Sequence, residues 1–247
     1  MRDFVTALEF LTRVRLSKRT EWHPDDFSRS VAWFPFVGLL GGVLMGVANW
    51  YLTKWLVPDF LRAVLLLVWE LFIFGGLMYD GYMDTCDGVY SARDRERMLE
   101  IMKDSHVGAN AVLGVGVLML LKVAIFATFT GFALSFALPL SYVLTRSMMA
   151  FYIVFYPNPR GNGIGKMFKD YAKKWYAFVG LVVLAPMLYY TDIISGVVVL
   201  ITFVVMNFWA YCLTKTLGGL TGDTYGFLTE VGGVVFLLST LLVRIVL

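Results

Sequence analysis

The run Asp80-Gly81-Tyr82-Met83-Asp84-Thr85-Cys86-Asp87-Gly88 places three carboxylates four and then three positions apart, directly after a long apolar stretch. On a helix these offsets put Asp80, Asp84 and Asp87 in one narrow stripe, spread over about two turns or ~10 Å. Acids so arranged repel one another when all are ionised, so they either take up protons or surround a cation. An oxygen-only donor set of this kind suits Mg²⁺ or Mn²⁺. The spacing therefore predicts a hard-metal site at the edge of a membrane. Gly81 and Gly88 flank the acids where a missing side chain would let a phosphate approach backbone and ion, although close helix packing accounts for them equally well.

Other polar groups extend this chemistry. Lys103-Asp104-Ser105 precedes another apolar stretch, where Asp or Ser can cap a helix, a helix start favours anions, and Lys103 adds a positive charge. The segment Leu217 to Glu230 holds Asp223 and Glu230 seven positions apart, hence on one face if helical. It reads either as a glycine turn capped by Thr221 or Asp223, or as the piece that completes a metal site. Arg146 and Lys122 fall inside apolar stretches, where a charge needs a partner. Arg146 is expected to pair with Glu70 or an acid of the first cluster, or to touch a substrate phosphate. The loop from Arg160 to Lys166 has the composition of a phosphate cradle but is not a Walker A loop, because Met167 stands where a hydroxyl is required. Arg93 to Arg97 reads as a solvated helix face, and His23 and His106 are isolated. Acids, glycines and cations without His or Cys ligands fit phosphoryl or phosphodiester transfer assisted by a hard metal.

The elements that must position these groups are membrane helices. Of the 247 residues 59% are hydrophobic and 16% charged, with a mean hydropathy of +0.72, which marks an integral membrane protein. Seven apolar stretches are expected as spans: Val31 to Leu52, Leu61 to Tyr79, Val107 to Phe129, Leu134 to Tyr156, Tyr176 to Tyr190, Ile193 to Leu213 and Val231 to Leu247, the fifth being short. No alternating pattern suggests a barrel. The expected architecture is all-α, one polytopic helical bundle over residues 1–247, with residues 1–30 as an amino-terminal cytoplasmic or interfacial segment. Met1, Phe4, Val5, Leu8 and Leu11 share a helical face, read as lying on the membrane or packing on the bundle. Asp3, Glu9, Arg13 and Arg15 interrupt it too early for a cleavable signal.

Cys86 and Cys212, the two cysteines, offer no disulfide framework and read as reduced thiols. A net charge of +3 is too small to argue for nucleic acid. Basic residues fall in alternate connections: Arg2, Arg13, Arg15, Lys18, Arg19 and Arg29, then Arg93 to Lys103, then Arg160 to Lys174, against Lys54 and Arg62 between them. By the positive-inside rule the amino terminus and the acidic stripe are cytoplasmic, and seven spans put the carboxyl terminus outside.

The chain closely resembles the cobalamin-5'-phosphate synthase family, also called adenosylcobinamide-GDP ribazoletransferases. The resemblance is carried by Phe10-Leu11-Thr12-Arg13, Phe34-Pro35-Phe36-Val37-Gly38, Gly75-Gly76 through Gly88, Ile101 to Ser105 with Gly108, Arg146, and Leu217 through Glu230. It covers nearly the full length. Members often carry a histidine shortly before the first aspartate, where this chain has Met78-Tyr79, so no role of that histidine transfers. The resemblance implies a Mg²⁺-dependent late step of vitamin B12 assembly in the cytoplasmic (inner) membrane. A ribose hydroxyl of α-ribazole, or of its 5'-phosphate, attacks the corrinoid-linked phosphate of adenosylcobinamide-GDP and releases GMP. On this basis Asp80, Asp84, Asp87 and Asp223 are expected around metal and diphosphate, Lys103, Ser105, Arg146, Lys166, Gly81 and Gly88 on substrate or phosphate, and Asp104 or Asp84 as base. Other corrinoid-pathway enzymes are candidate partners, though no residue specifies such a contact.

Two competing readings are weaker. Asp84-Thr85-Cys86-Asp87-Gly88 begins like the acidic motif of CDP-alcohol phosphotransferases, but the Ala-Arg pair is displaced to Ala92-Arg93 and the downstream aspartates are missing. A cation or proton transporter would hold its acids near the midplane between repeated halves, whereas here they cluster at helix ends.

Overall fold

The computed structural model describes residues 2–16, 24–160 and 163–246, and among these residues there are helices and turns but no strand. Lys18, Arg19 and His23, named above on sequence grounds, lie outside the described residues, as do Met1, Leu247 and residues 161 and 162 of the loop from Arg160 to Lys166. In chain order the helices are α1 Arg2–Leu11, α2 Pro24–Ser30, α3 Phe34–Lys54, α4 Asp59–Phe74, α5 Leu77–Tyr90, α6 Arg95–Ile101, α7 Ala109–Thr128, α8 Ala133–Phe155, α9 Ile164–Asp170, α10 Val179–Tyr189, α11 Ile193–Leu217 and α12 Gly222–Val246.

Five of these, α3, α7, α8, α11 and α12, are long and apolar enough to cross a membrane, and α4 with α5 makes a sixth crossing if the bent pair counts as one. The chain is thus a multi-pass membrane protein. The short fifth stretch becomes a 3₁₀ turn over Lys174–Phe178 followed by the 11-residue α10. That helix packs on α8, with Gly180 against Ser147.

The stretch Leu61 to Tyr79, expected as one continuous span, is broken. Gly75 adopts a φ of 71°, open to glycine because it has no Cβ, and α4 meets α5 at 98°. A Cβ on Gly75 would also sit 2.9 Å from Cγ of Arg13. Both halves pack on α7. Near the start of α4, the buried Arg62 donates to the carbonyls of Phe126 and Phe129 at 3.3 and 2.8 Å and to Asn49 at 2.7 Å. These bonds satisfy a charge that an apolar slab would otherwise penalise, and they close carbonyls at the end of α7.

The centre of the bundle is α8, against which α3 lays a row of small residues. A Cβ on Gly38, Gly42 or Gly46 would approach Tyr142 O, Pro139 Cα or Ser135 O within 2.6, 2.7 and 2.5 Å. Gly42 and Gly46 thus serve the close approach of α3 to α8. A Cβ on Gly114 would stand 2.8 Å from Cys86 Sγ, so this glycine lets α7 approach α5. The amino-terminal helix takes the second of its two readings: Ala7 and Leu11 are buried, and Phe10 meets Phe27, Phe34 and Phe168 with ring centroids 6.4, 6.2 and 4.7 Å apart. This aromatic cluster joins α1, α2, α3 and α9 on the side of the bundle where the acids lie. Both cysteines are free thiols.

Candidate active site

The second half of the broken span, α5, carries all three acids of the stripe, but they do different things. Asp87 turns toward the start of α7, where its Oδ2 accepts the Gly108 amide at 2.6 Å and its Oδ1 the Ala111 amide at 2.8 Å. Gly108 has no side chain to cap α7 itself, and a Cβ there would lie 2.6 Å from Asp87 Oδ1. Carboxylate and glycine together thus satisfy amides that a helix start leaves open, with the charge favourably placed for the dipole. The cap read for Asp104 or Ser105 comes instead from Asp87.

Asp80 lines a cavity of about 220 Å³ together with Gly81, Asn158, Arg160, Gly163, Gly165, Gly222 and Asp223. Phe10, Met149 and Phe168 form its apolar side. Asp223 Oδ2 accepts Arg160 Nη1 at 2.8 Å, with 22% and 15% of these side chains exposed. Asp84, half-buried on the next turn of α5, lies within electrostatic reach of Asp223, Asp80 and Arg160. Asp80, Asp84 and Asp223 are therefore brought together, with one guanidinium among them.

Local chemistry explains how two distant segments supply this site. Thr221 and Thr224 bond reciprocally at the start of α12, the Thr221 amide donating to Thr224 Oγ1 at 2.8 Å and the Thr224 amide to Thr221 Oγ1 at 3.3 Å. Threonine thus provides the cap, and Asp223 remains available to the cavity. Gly81 lets α12 approach: a Cβ would stand 2.7 Å from Asp223 O. Gly226 does the same from the other side, 2.7 Å from Met78 O. The loop after α8 is tied in by the Leu220 amide donating to Pro157 O at 2.7 Å, and a Cβ on Gly165 would lie 3.0 Å from Gly222 N.

Other expected site residues lie elsewhere. A Cβ on Gly88 would meet Met102 Cγ at 2.4 Å and Met98 O at 3.0 Å, so Gly88 packs on α6. Lys103, Asp104 and Ser105 form an exposed turn between α6 and α7. Asp104 accepts the His106 amide at 3.0 Å and sits 2.6 Å from its Nδ1, bonds that hold its carboxyl below the usual range and make it a poorer proton acceptor. Lys166 is half-buried on α9. Arg95 to Arg97 belongs to α6, capped by Asp94 through the Arg97 amide at 3.0 Å and carrying an Arg97–Glu100 pair at 2.8 Å, as a solvated face would.

Arg146 is deep in the bundle, 4.9 and 5.0 Å from the rings of Phe74 and Tyr142, and donates to Thr145 Oγ1 at 3.1 Å. Glu70, one expected partner, is taken by Lys122 at 2.7 Å, which also bonds Glu230 at 2.5 Å and Tyr79 at 2.9 Å. Among the described residues Arg146 has no carboxylate partner, and the aromatic faces on both sides supply its counter-field. Glu230 shares a helix face with Asp223 but sits two turns deeper, in this buried ion cluster.

Sequence reasoning named Arg160 only as the first residue of a glycine-rich loop. Its pairing with Asp223 is the main functional contact left unread. The available signal was Pro157-Asn158-Pro159, which ends α8 and turns a basic residue back onto the bundle.

Three carboxylates within electrostatic reach of one guanidinium leave a local negative excess. Among the described residues no three acidic, histidine or cysteine side chains converge to cage an ion by themselves. This donor set fits Mg²⁺ or Mn²⁺, which take one or two carboxylates and fill their remaining positions with phosphate oxygens and water.

A helical membrane bundle with acids, glycines and an arginine at one end defines the class: an integral membrane enzyme site suited to phosphate chemistry. A family model described as cobalamin-5-phosphate synthase matches residues 3–242. The chain belongs to that family. It is similar to an "Adenosylcobinamide-GDP ribazoletransferase" of Desulfitobacterium hafniense (strain Y51), 34% identical over 97% of this chain and 96% of the relative. Relatives of the same description occur in Clostridium botulinum (strain Okra / Type B1), 31% identical over 98% of both chains, and Clostridium acetobutylicum, 32% identical over 96% of this chain and 95% of the relative. No solved structure matches.

Proposed function

We propose that this chain is the transferase of late cobalamin biosynthesis that joins adenosylcobinamide-GDP to α-ribazole, or to α-ribazole 5'-phosphate. The observation that carries the reading is the family match over nearly the whole chain, falling on a fold that gathers Asp80, Asp84, Asp223 and Arg160 at one end of the bundle. In the reaction a ribose hydroxyl oxygen bonds to the corrinoid-linked phosphorus, the bond from that phosphorus to the bridging oxygen breaks, and GMP departs with the electron pair. The hydroxyl proton passes to a carboxylate.

Asp80 and Asp223 are the residues that would hold Mg²⁺ or Mn²⁺, which when bound neutralises diphosphate charge. Asp84, beside them and without a cap to serve, is the better proton acceptor; Asp104 is exposed and engaged by His106. Lys166 is the candidate for a phosphate oxygen from α9, and Lys103 and Ser105 are open to a large substrate at the rim. Arg146, buried between rings, braces the bundle.

The acid-bearing end faces the cytoplasm in this reading, and the membrane is the cytoplasmic (inner) one. The segments that flank it carry Arg93, Arg95, Arg97, Lys103, Lys169, Lys173 and Lys174, whereas Lys54 and Arg62 belong to the α3–α4 connection at the opposite end. The CDP-alcohol and transporter readings are not favoured. The test is GMP release from adenosylcobinamide-GDP by the full chain in detergent. Release only when α-ribazole and Mg²⁺ are both supplied is expected, and release indifferent to α-ribazole, or turnover of CDP-diacylglycerol instead, overturns the reading.

A further inference from the structure

Arg160 has more hydrogen-bonding capacity than its visible partner uses. Nη1 is spent on Asp223 at 2.8 Å, and the backbone amide donates to Asn158 Oδ1 at 2.8 Å, which fixes the turn that presents the side chain. Nε and Nη2 are buried and, among the described residues, have no hydrogen-bond partner. Leaving such donors unmade inside a protein is costly, and it marks a place where a ligand atom completes the set.

These two nitrogens form one lateral edge of the guanidinium, the edge that grips two oxygens of one anion side by side. Arg160 lines a cavity that has Gly163, Gly165 and Gly222 where side chains would otherwise stand, with Phe10, Met149 and Phe168 also in its wall. Apolar walls exclude water and so strengthen a charged hydrogen bond within. Asp223 holds the guanidinium by its other nitrogen, so the free edge is already oriented.

We propose that Arg160 is the diphosphate-binding residue of this cavity, its Nε–Nη2 edge taking two non-bridging oxygens of the nucleotide diphosphate while Asp223 holds Nη1. Only the identity of the substrate that brings the diphosphate rests on the function proposed above.

The test uses GDP and inorganic pyrophosphate as probes, titrated calorimetrically into the full chain in detergent with Mg²⁺ present. Arg160→Ala is expected to weaken both by about tenfold to a hundredfold, the range of one or two charge-assisted hydrogen bonds. Arg160→Lys keeps the charge and the means to pair with Asp223 but not the two-pronged edge, so it recovers only part of the loss even if the alanine variant fails to fold. Arg93→Ala, an equal loss of charge at an exposed position, stays within about twofold. Wild-type affinity in Arg160→Lys, equal losses in Arg93→Ala and the Arg160 variants, or no GDP binding by the unaltered chain overturns the proposal. If GDP binds through Arg160 but α-ribazole elicits no GMP, the proposed function falls and this site stands; if Arg160→Ala turns over normally, this site falls and the function stands.

Discussion

The Asp87 carboxylate accepts the Ala111 amide at 2.8 Å, which ties the last acid of the α5 stripe to the first turn of α7. With the bond from the Gly108 amide at 2.6 Å, it joins the acidic segment to the helix that runs alongside it. Removing it by Asp87→Ala should destabilise the protein by about 0.5–2 kcal/mol, as loss of a helix cap does, and Asp87→Asn, which keeps an acceptor, by less. Unfolding followed in detergent checks the order; an alanine variant as stable as the parent would rule out the cap.

Asp84 and Asp104 differ in surroundings, and their amide variants should differ in consequence. Asp84→Asn is expected to assemble normally and lose α-ribazole-dependent GMP release by about 10²-fold or more. Asp104→Asn should retain much more. Equal losses, or normal turnover of Asp84→Asn at saturating Mg²⁺, would count against the assignment of the base.

Gly81 and Gly76 make a matched pair for the packing argument. A methyl on Gly81 meets the Asp223 backbone at 2.7 Å, whereas nothing lies within 4 Å of one on Gly76. Gly81→Ala should therefore push α12 away from α5 and cost activity by about tenfold or more, in line with the sensitivity of reactions to small misplacements. Gly76→Ala should be close to neutral in the same assay and in thermal stability.

Lys122 bonds two buried carboxylates, Glu70 and Glu230. Replacing it with Met leaves both without their cation and is expected to cost about 3–5 kcal/mol. Glu70→Gln should cost less, because Glu230 still pairs with the lysine. Melting temperatures of the two variants in one detergent give the comparison, and the reverse order would contradict it.

Chelation offers a separate check on the cation. EDTA should abolish GMP release, and Mg²⁺ or Mn²⁺ in excess should restore it; activity that persists in EDTA would exclude a metal role for Asp80 and Asp223.

Much of this was readable from residue order. Hydropathy predicts a membrane bundle, and the acids of α5 and α12 are visible by spacing alone. What escaped required distances along the chain that no local pattern encodes. The donors to Asp87 lie 21 and 24 residues away, so nothing near it distinguishes a cap from a metal ligand. Gly75-Gly76 sits inside a stretch that reads as one span, and only the positive φ of Gly75 shows the break. The seven-residue interval between Asp223 and Glu230 gives a common face but not a common depth, and two turns carry Glu230 from the cavity to Lys122. Arg160 meets Asp223 only because Pro157 and Leu220 bond across two loops.

The broken span has one further consequence. Its first half is tied by Arg62 to the last carbonyls of α7, its second half by Asp87 to the first amides, and Glu70 and Tyr79, on either side of the break, meet Lys122 between them. Thus α7 works as a gauge bar: its length sets how far apart the two halves stand and hence where Asp80 and Asp84 come to rest. Deleting a single residue between Ala111 and Lys122 would turn the lysine by about 100° and draw the ends together by ~1.5 Å. That change would detune the acids without touching any residue of the cavity.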